Sequence, residues 1–166
     1  TFESGYWSPY SFMVTDDYAY GVGSHFEDEL TRQDIRDLVY INLDTQESNT
    51  IYLNKNFESI RVNSDNELYG ASNNGYRSYE ISRINLEDGT SEVIAPLTFE
   101  SGYWSPSTFM VTDDYAYGLG SSFYDELTQQ YVSDLIYINL DTQDSNTIYL
   151  NTNFQSISIN SDNELY

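Results

Sequence analysis

Thr98-Phe99-Glu100-Ser101-Gly102-Tyr103-Trp104-Ser105-Pro106 repeats Thr1-Phe2-Glu3-Ser4-Gly5-Tyr6-Trp7-Ser8-Pro9 residue for residue. The correspondence continues at an offset of 97 positions as far as Tyr69 and Tyr166, with roughly four in five residues identical. The exceptions separate into two kinds. Val22, Val39 and Val62 become Leu119, Ile136 and Ile159, whereas Arg32, Arg36, Lys55 and Arg61 become Gln129, Ser133, Thr152 and Ser158. Apolar positions keep their volume while polar ones drift, the pattern of a shared core beneath a free surface.

A weaker repeat lies inside the first. The run Phe12 to Gly21 matches Ile60 to Gly70, which sets the internal period at 48 to 49 residues, and Tyr40-Ile41-Asn42-Leu43-Asp44 matches Arg83-Ile84-Asn85-Leu86-Glu87 across a shorter preceding connection. Each unit reads as four short strands, a to d, separated by turn residues. In the first unit these are Ser11 to Thr15, Tyr18 to Gly23, Asp37 to Leu43 and Asn49 to Leu53. In the second they are Ser59 to Asn63, Glu67 to Ala71, Tyr79 to Leu86 and Ser91 to Ile94, with Asp88-Gly89 at the last turn. Strand c of the first unit, Leu38-Val39-Tyr40-Ile41-Asn42-Leu43, is apolar on both faces, as expected of a strand enclosed between neighbouring sheets.

Four-stranded units at this spacing resemble β-propeller blades. The resemblance covers essentially the whole chain and implies an all-β fold of antiparallel blades. Blade 1 spans about 10–54, blade 2 about 58–97, blade 3 about 107–151, and a partial blade 4 about 155–166. The Ser64-Asp65-Asn66-Glu67-Leu68-Tyr69 run looks like a hairpin common in bacterial extracellular propellers. The marks of WD, kelch and Asp-box repeats are missing, so no particular propeller family is indicated. A ring closes with about four to eight blades. The chain is therefore expected to belong to a longer array, with assembly between copies through blade edges as the alternative.

Charge narrows the partners. Twenty-seven acidic residues against six basic ones give a net charge of −21. Such a surface repels phosphate backbones and anionic headgroups, which points away from nucleic acid and from membrane insertion and towards a protein or glycan surface. The absence of Cys excludes disulfides and thiolate chemistry. A start at Thr1 without Met suits a mature form, an excised fragment or a partly determined sequence, and a secreted or cell-surface location is expected.

Site candidates lie in the connections that would share one face. Tyr6, Trp7, Tyr103 and Trp104 offer flat apolar rings with polar edges suited to sugars or partner side chains. The same residues also read as wedges between adjacent blades. Glu27, Asp28, Glu29, Asp125 and Glu126, in the long loops 24–36 and 121–133, supply oxygen ligands that would suit Ca2+. They match no calcium-loop spacing, and a solvated acidic loop accounts for them equally. No other cofactor is indicated. His25, the single histidine, corresponds to Ser122 in the second copy, which argues against a catalytic or metal role in a duplicated site. No nucleophile elbow, phosphate loop or dinucleotide fingerprint occurs.

The near-identity of the odd blades favours several equivalent contacts over one asymmetric active site. The expected function is a non-catalytic extracellular propeller that binds or scaffolds. A lectin-like propeller and part of a glycan-active propeller enzyme are the alternatives.

Overall fold

A computed structural model describes residues 7–23, 26–27, 34–75, 78–99, 108–120 and 123–150, together with 154, 157–160, 164 and 166. The described residues form antiparallel sheets. The first contains β1 (Trp7–Val14), β2 (Tyr18–Gly23), β3 (Phe26–Glu27), β4 (Asp34–Asn42) and β5 (Ser48–Leu53), ordered β1-β2-β4-β3 with β5 on β4. The second is β6 (Ser59–Val62), β7 (Leu68–Gly75), β8 (Ser78–Ile84) and β9 (Ser91–Thr98) in sequential order. The third repeats the first as β10 (Met110–Val111), β11 (Tyr115–Leu119), β12 (Phe123–Asp125), β13 (Gln130–Asn139) and β14 (Ser145–Leu150).

Two departures from the sequence reading stand out. The stretches 24–36 and 121–133 are not simple connections: each carries a short strand, β3 or β12, paired with the start of the long strand that follows. Phe123 lies opposite Val132 and Tyr124 opposite Tyr131, cross-strand pairs strong enough to extend the hairpin among acidic neighbours. The connection expected over 72–78 is also largely strand, because β7 runs on to Gly75 and β8 begins at Ser78.

The turns explain why the internal repeat gains one residue. In the first sheet Thr15 N donates to Tyr18 O at 2.8 Å across the two-residue turn Asp16-Asp17, and Thr112 does the same to Tyr115 O. In the second sheet Asn63 N donates to Glu67 O at 3.1 Å around three residues, with Asn66 in the left-handed region at φ 64°. Asn is among the few residues that adopt that geometry cheaply, and it completes a three-residue hairpin loop. The turn before the last strand of each sheet is built on an Asn side chain: Asn42 Oδ1 accepts from Thr45 N and Asn139 Oδ1 from Thr142 N, both at 2.8 Å, and Asn85 Oδ1 accepts from Glu87 N at 2.8 Å.

The chain divides into two compact units, 1–72 with 82–92 and 73–81 with 93–166, and the division passes through the second sheet. In the first unit the core is Tyr20, Val22, Leu38, Ile51, Leu53, Phe57, Ile60, Leu68 and Ile84. Except for Phe57, which lies between β5 and β6, these residues come from the strands of the two sheets, which bury a shared apolar layer. Phe57 lies flat against Gly70, where an added Cβ would run into the ring. The Asn66 side chain joins the first two hairpin turns of this unit: its Oδ1 accepts from Thr15 Oγ1 and its Nδ2 donates to Asp17 Oδ2 at 2.9 Å. In the second unit the buried set includes Leu97, Phe99, Phe109, Ala116, Leu119, Leu135 and Ile138. Phe99 meets Tyr79 edge to face at 6.3 Å.

Candidate functional site

Tyrosines mark one position in the odd sheets. Alternation along β2 sends Tyr18 and Tyr20 to the same face, and pairing with β4 sets Tyr40 opposite Tyr20. The three rings form a cluster with centroids 6.0 to 6.3 Å apart. Tyr115, Tyr117 and Tyr137 rebuild it in the third sheet at 5.9 to 6.4 Å. The even sheet breaks the pattern. At the matching positions it carries Glu67, Tyr69 and Arg83, so one aromatic cluster is exchanged for an ionic one.

This ionic cluster is held in a fixed arrangement. Tyr69 is fully buried, and its hydroxyl donates to Glu67 Oε2 at 2.8 Å. Asn63 Nδ2 donates to the same oxygen at 3.1 Å, while Asn63 Oδ1 accepts from Glu67 N at 2.8 Å. Arg83 Nε lies 4.0 Å from Glu67 Oε1, and its guanidinium carbon sits 5.7 Å from the centre of the Tyr69 ring. Burial, followed by the hydrogen bond to Glu67, pushes the Tyr69 phenol up to about 12. Burial alone would lower the Arg83 guanidinium, but Tyr69, Glu67 and Glu92 outweigh it and hold the group above its ordinary value. Arg83 is therefore a permanent cation braced from one side.

Glu67 and Arg83 line an open recess of about 490 Å³, which Asn66, Asn85, Leu86 and Glu92 help to enclose. The volume suits a small ligand or a few residues of extended chain. One cation, two carboxylates and several amide or hydroxyl groups supply both donors and acceptors. Such a lining has the chemistry to suit a polar ligand of mixed charge, since an Arg presents a planar fork of donors to a carboxylate or carbonyl edge.

The residues singled out from sequence are placed unevenly. Trp7 opens β1 opposite Gly23, whereas Tyr6, Tyr103 and Trp104 lie outside the described residues. Glu27 lies in β3 opposite Asp34, and Asp28 and Glu29 lie outside the described residues. Asp125 ends β12, where its carboxylate accepts from Thr128 Oγ1 at 2.7 Å and from Leu127 N at 2.9 Å. Those bonds, the Thr128 hydroxyl first, hold it below the usual carboxylate range. Glu126 is exposed. Among the described residues no three acidic or histidine side chains converge as a metal-binding group would require.

Two buried acids escaped the sequence reading. Asp37 and Asp134 are fully buried at equivalent points of β4 and β13. A charged residue opening an otherwise apolar strand, as in Asp37-Leu38-Val39, was the signal available. The Glu67–Arg83 pair was less visible, because the two lie sixteen positions apart and meet only through the pairing of β7 with β8.

No protein-family model matches the sequence, and no curated protein matches it. Solved structures do. The tricorn protease superposes on 92% of this chain with a TM-score of 0.55 at 9% identity, using 19% of its own length. The acylaminoacyl peptidase of Pyrococcus horikoshii superposes on 88% with a TM-score of 0.55 at 10% identity, using 25% of its length. The β-propeller domain of the Trilobed protease from Pyrococcus furiosus, described as having an open velcro topology, superposes on 87% with a TM-score of 0.52 at 14% identity, using 42% of its length. The chain thus spans between a fifth and two-fifths of these structures. At such identities the likeness establishes the fold, a partial β-propeller of antiparallel blades.

The same comparisons correct the functional expectation. The chain was read as a non-catalytic extracellular propeller for binding or scaffolding, with glycan-directed alternatives, yet the three solved structures described above are two peptidases and the propeller domain of a third. The physical reason for the error is plain. The repeat reports how blades pack, and blade packing is indifferent to the chemistry that the propeller accompanies.

Proposed function

We propose that this chain forms part of the propeller domain of a peptidase and contributes peptide contacts rather than the bond-breaking groups. One observation carries the reading: three proteases superpose on 87 to 92% of the chain, and one of the matched structures is itself a protease's propeller domain. The recess in the even blade supports it. A peptide offers carbonyl acceptors, amide donors and a terminal carboxylate, and Arg83, Glu67 and Glu92 present the complementary groups at one opening.

The test is hydrolysis of fluorogenic peptides, free and N-acylated, by the polypeptide that carries this chain. Cleavage is expected, with Arg83→Ala raising KM several-fold and leaving kcat nearly unchanged, the signature of a lost binding contact. Absence of both cleavage and peptide binding would overturn the proposal.

A further inference from the structure

The hairpin β12–β13 has two unlike faces. Phe123 pairs with Val132 and Tyr124 with Tyr131, and alternation along the strands sends the two pairs to opposite sides. Val132 is buried and Phe123 half-buried, whereas Tyr124 and Tyr131 are 50 and 61% exposed. Tyr131 shares its side of β13 with Ser133 and Leu135, and both of those are buried, at 0 and 4% exposure. That side of the sheet is therefore covered as far as Ser133, and the tyrosines stand where the hairpin rises clear of its cover. Their rings meet edge to face with centroids 5.4 Å apart, a geometry that aromatic pairs prefer.

The turn beyond them, 126–129, is held by its own bonds. Asp125 accepts from Leu127 N at 2.9 Å and from Thr128 Oγ1 at 2.7 Å, and Gln129 takes a left-handed φ of 56°. Leu127 is thereby left 95% exposed at the tip. Two tyrosines and a leucine thus form an apolar end on a hairpin whose shape is fixed before anything binds. Grouped exposed side chains of this kind mark an interaction surface, tyrosine above all. The first copy has no such end: its equivalents of Tyr124 and Tyr131 are Glu27 and Asp34, opposite each other in β3 and β4.

We infer that this end of β12–β13 docks a basic, amphipathic segment of another polypeptide, with its aliphatic side chains on Leu127 and its arginine or lysine over the tyrosine rings. Charge selects the partner. No Lys, Arg or His follows Arg83, Asp125 and Glu126 add carboxylates beside the rings, and the chain as a whole carries −21. A guanidinium or ammonium above an aromatic face is attracted by the negative centre of the ring and by neighbouring carboxylates together. A second copy of this chain carries the same charge and is repelled, as is a phosphate-rich surface. The patch shares no residue with the recess of Glu67 and Arg83, and the inference does not depend on the peptidase reading.

The experiment measures binding of a fluorescently labelled peptide of alternating leucine and arginine, and of the same peptide with serine in place of arginine, to the polypeptide that carries this chain. The arginine peptide is expected to bind several-fold more tightly than the serine peptide. Tyr124→Glu combined with Tyr131→Asp installs the pair that the first copy accommodates at the same positions, and it adds two negative charges. This double variant is expected to bind the arginine peptide several-fold more weakly, as is Leu127→Ser, with thermal midpoints close to that of the parent. Unchanged or tighter binding by the double variant would overturn the inference, because attraction to negative charge alone would then account for the association. Equal affinity for the serine peptide would overturn it as well.

Discussion

Tyr20 and Tyr69 occupy the same position in successive blades and are both fully buried, but the Tyr69 hydroxyl donates to Glu67 at 2.8 Å whereas among the described residues the Tyr20 hydroxyl meets no partner. An unmatched buried hydroxyl costs about 1–3 kcal/mol, and a satisfied one contributes about 1 kcal/mol. Tyr20→Phe is therefore expected to raise stability by about 1 kcal/mol, and Tyr69→Phe to lower it by a similar amount. Urea unfolding of the two variants checks the opposite signs, and a shared sign would defeat the argument.

Alkaline stability follows from the same two residues. Burial, assisted by Tyr18, Tyr40 and Asp17, pushes the Tyr20 phenol up to about 12, and Tyr69 also reaches about 12. An unfolded tyrosine titrates near about 10. Between these values the folded chain holds protons that the unfolded chain has released, so stability falls as pH rises. The tyrosine contribution is fully present below about pH 10 and is lost as pH climbs through about 12. Denaturation midpoints measured from pH 8 upward should show this limb, and Tyr20→Phe should make it shallower.

Gly70 is pressed against Phe57 so closely that a methyl group would overlap the ring. Gly70→Ala is expected to cost about 1–3 kcal/mol by overpacking. Combining it with Phe57→Leu should recover part of the loss, because the two changes share one space. Strictly additive destabilisation in the double variant would show that the contact is not the cause.

One turn position is left-handed in all three sheets. Gln46 (φ 60°), Gly89 (φ 74°) and Gln143 (φ 63°) each donate their N–H to the carbonyl of an Asn four residues earlier, at 2.9 Å. Only glycine occupies that geometry without steric cost. Gln46→Gly and Gln143→Gly are each expected to gain about 1 kcal/mol, read as a rise in thermal midpoint. Gly89→Ala should lose more than this, since its Cβ would also strike the Tyr52 carbonyl.

Much of the fold was legible because strand and turn signals are local. The strands around Tyr18–Gly23 and Ser48–Leu53 fall close to where apolar alternation and Asn-rich turns located them. The extra residue of the even hairpin was visible in the alignment of Phe12–Gly21 with Ile60–Gly70, although its cause, the left-handed Asn66, needed coordinates. The short strands β3 and β12 were missed because two or three residues among acidic neighbours carry too little pattern. The recess was illegible for another reason: Glu67, Arg83 and Glu92 have ordinary sequence neighbours, and only sheet pairing gathers them at one opening.

By itself the sequence determined that the chain is all-β, that its units repeat in an odd–even alternation, and that its surface is strongly acidic. Periodicity, turn chemistry and charge are properties of near neighbours along the chain, so they survive without a structure. Tertiary structure alone decided which tyrosine hydroxyl is satisfied and where an arginine meets a glutamate to line a recess. Those outcomes depend on what stands opposite each residue across a sheet or between sheets, which no run of neighbours along the chain records.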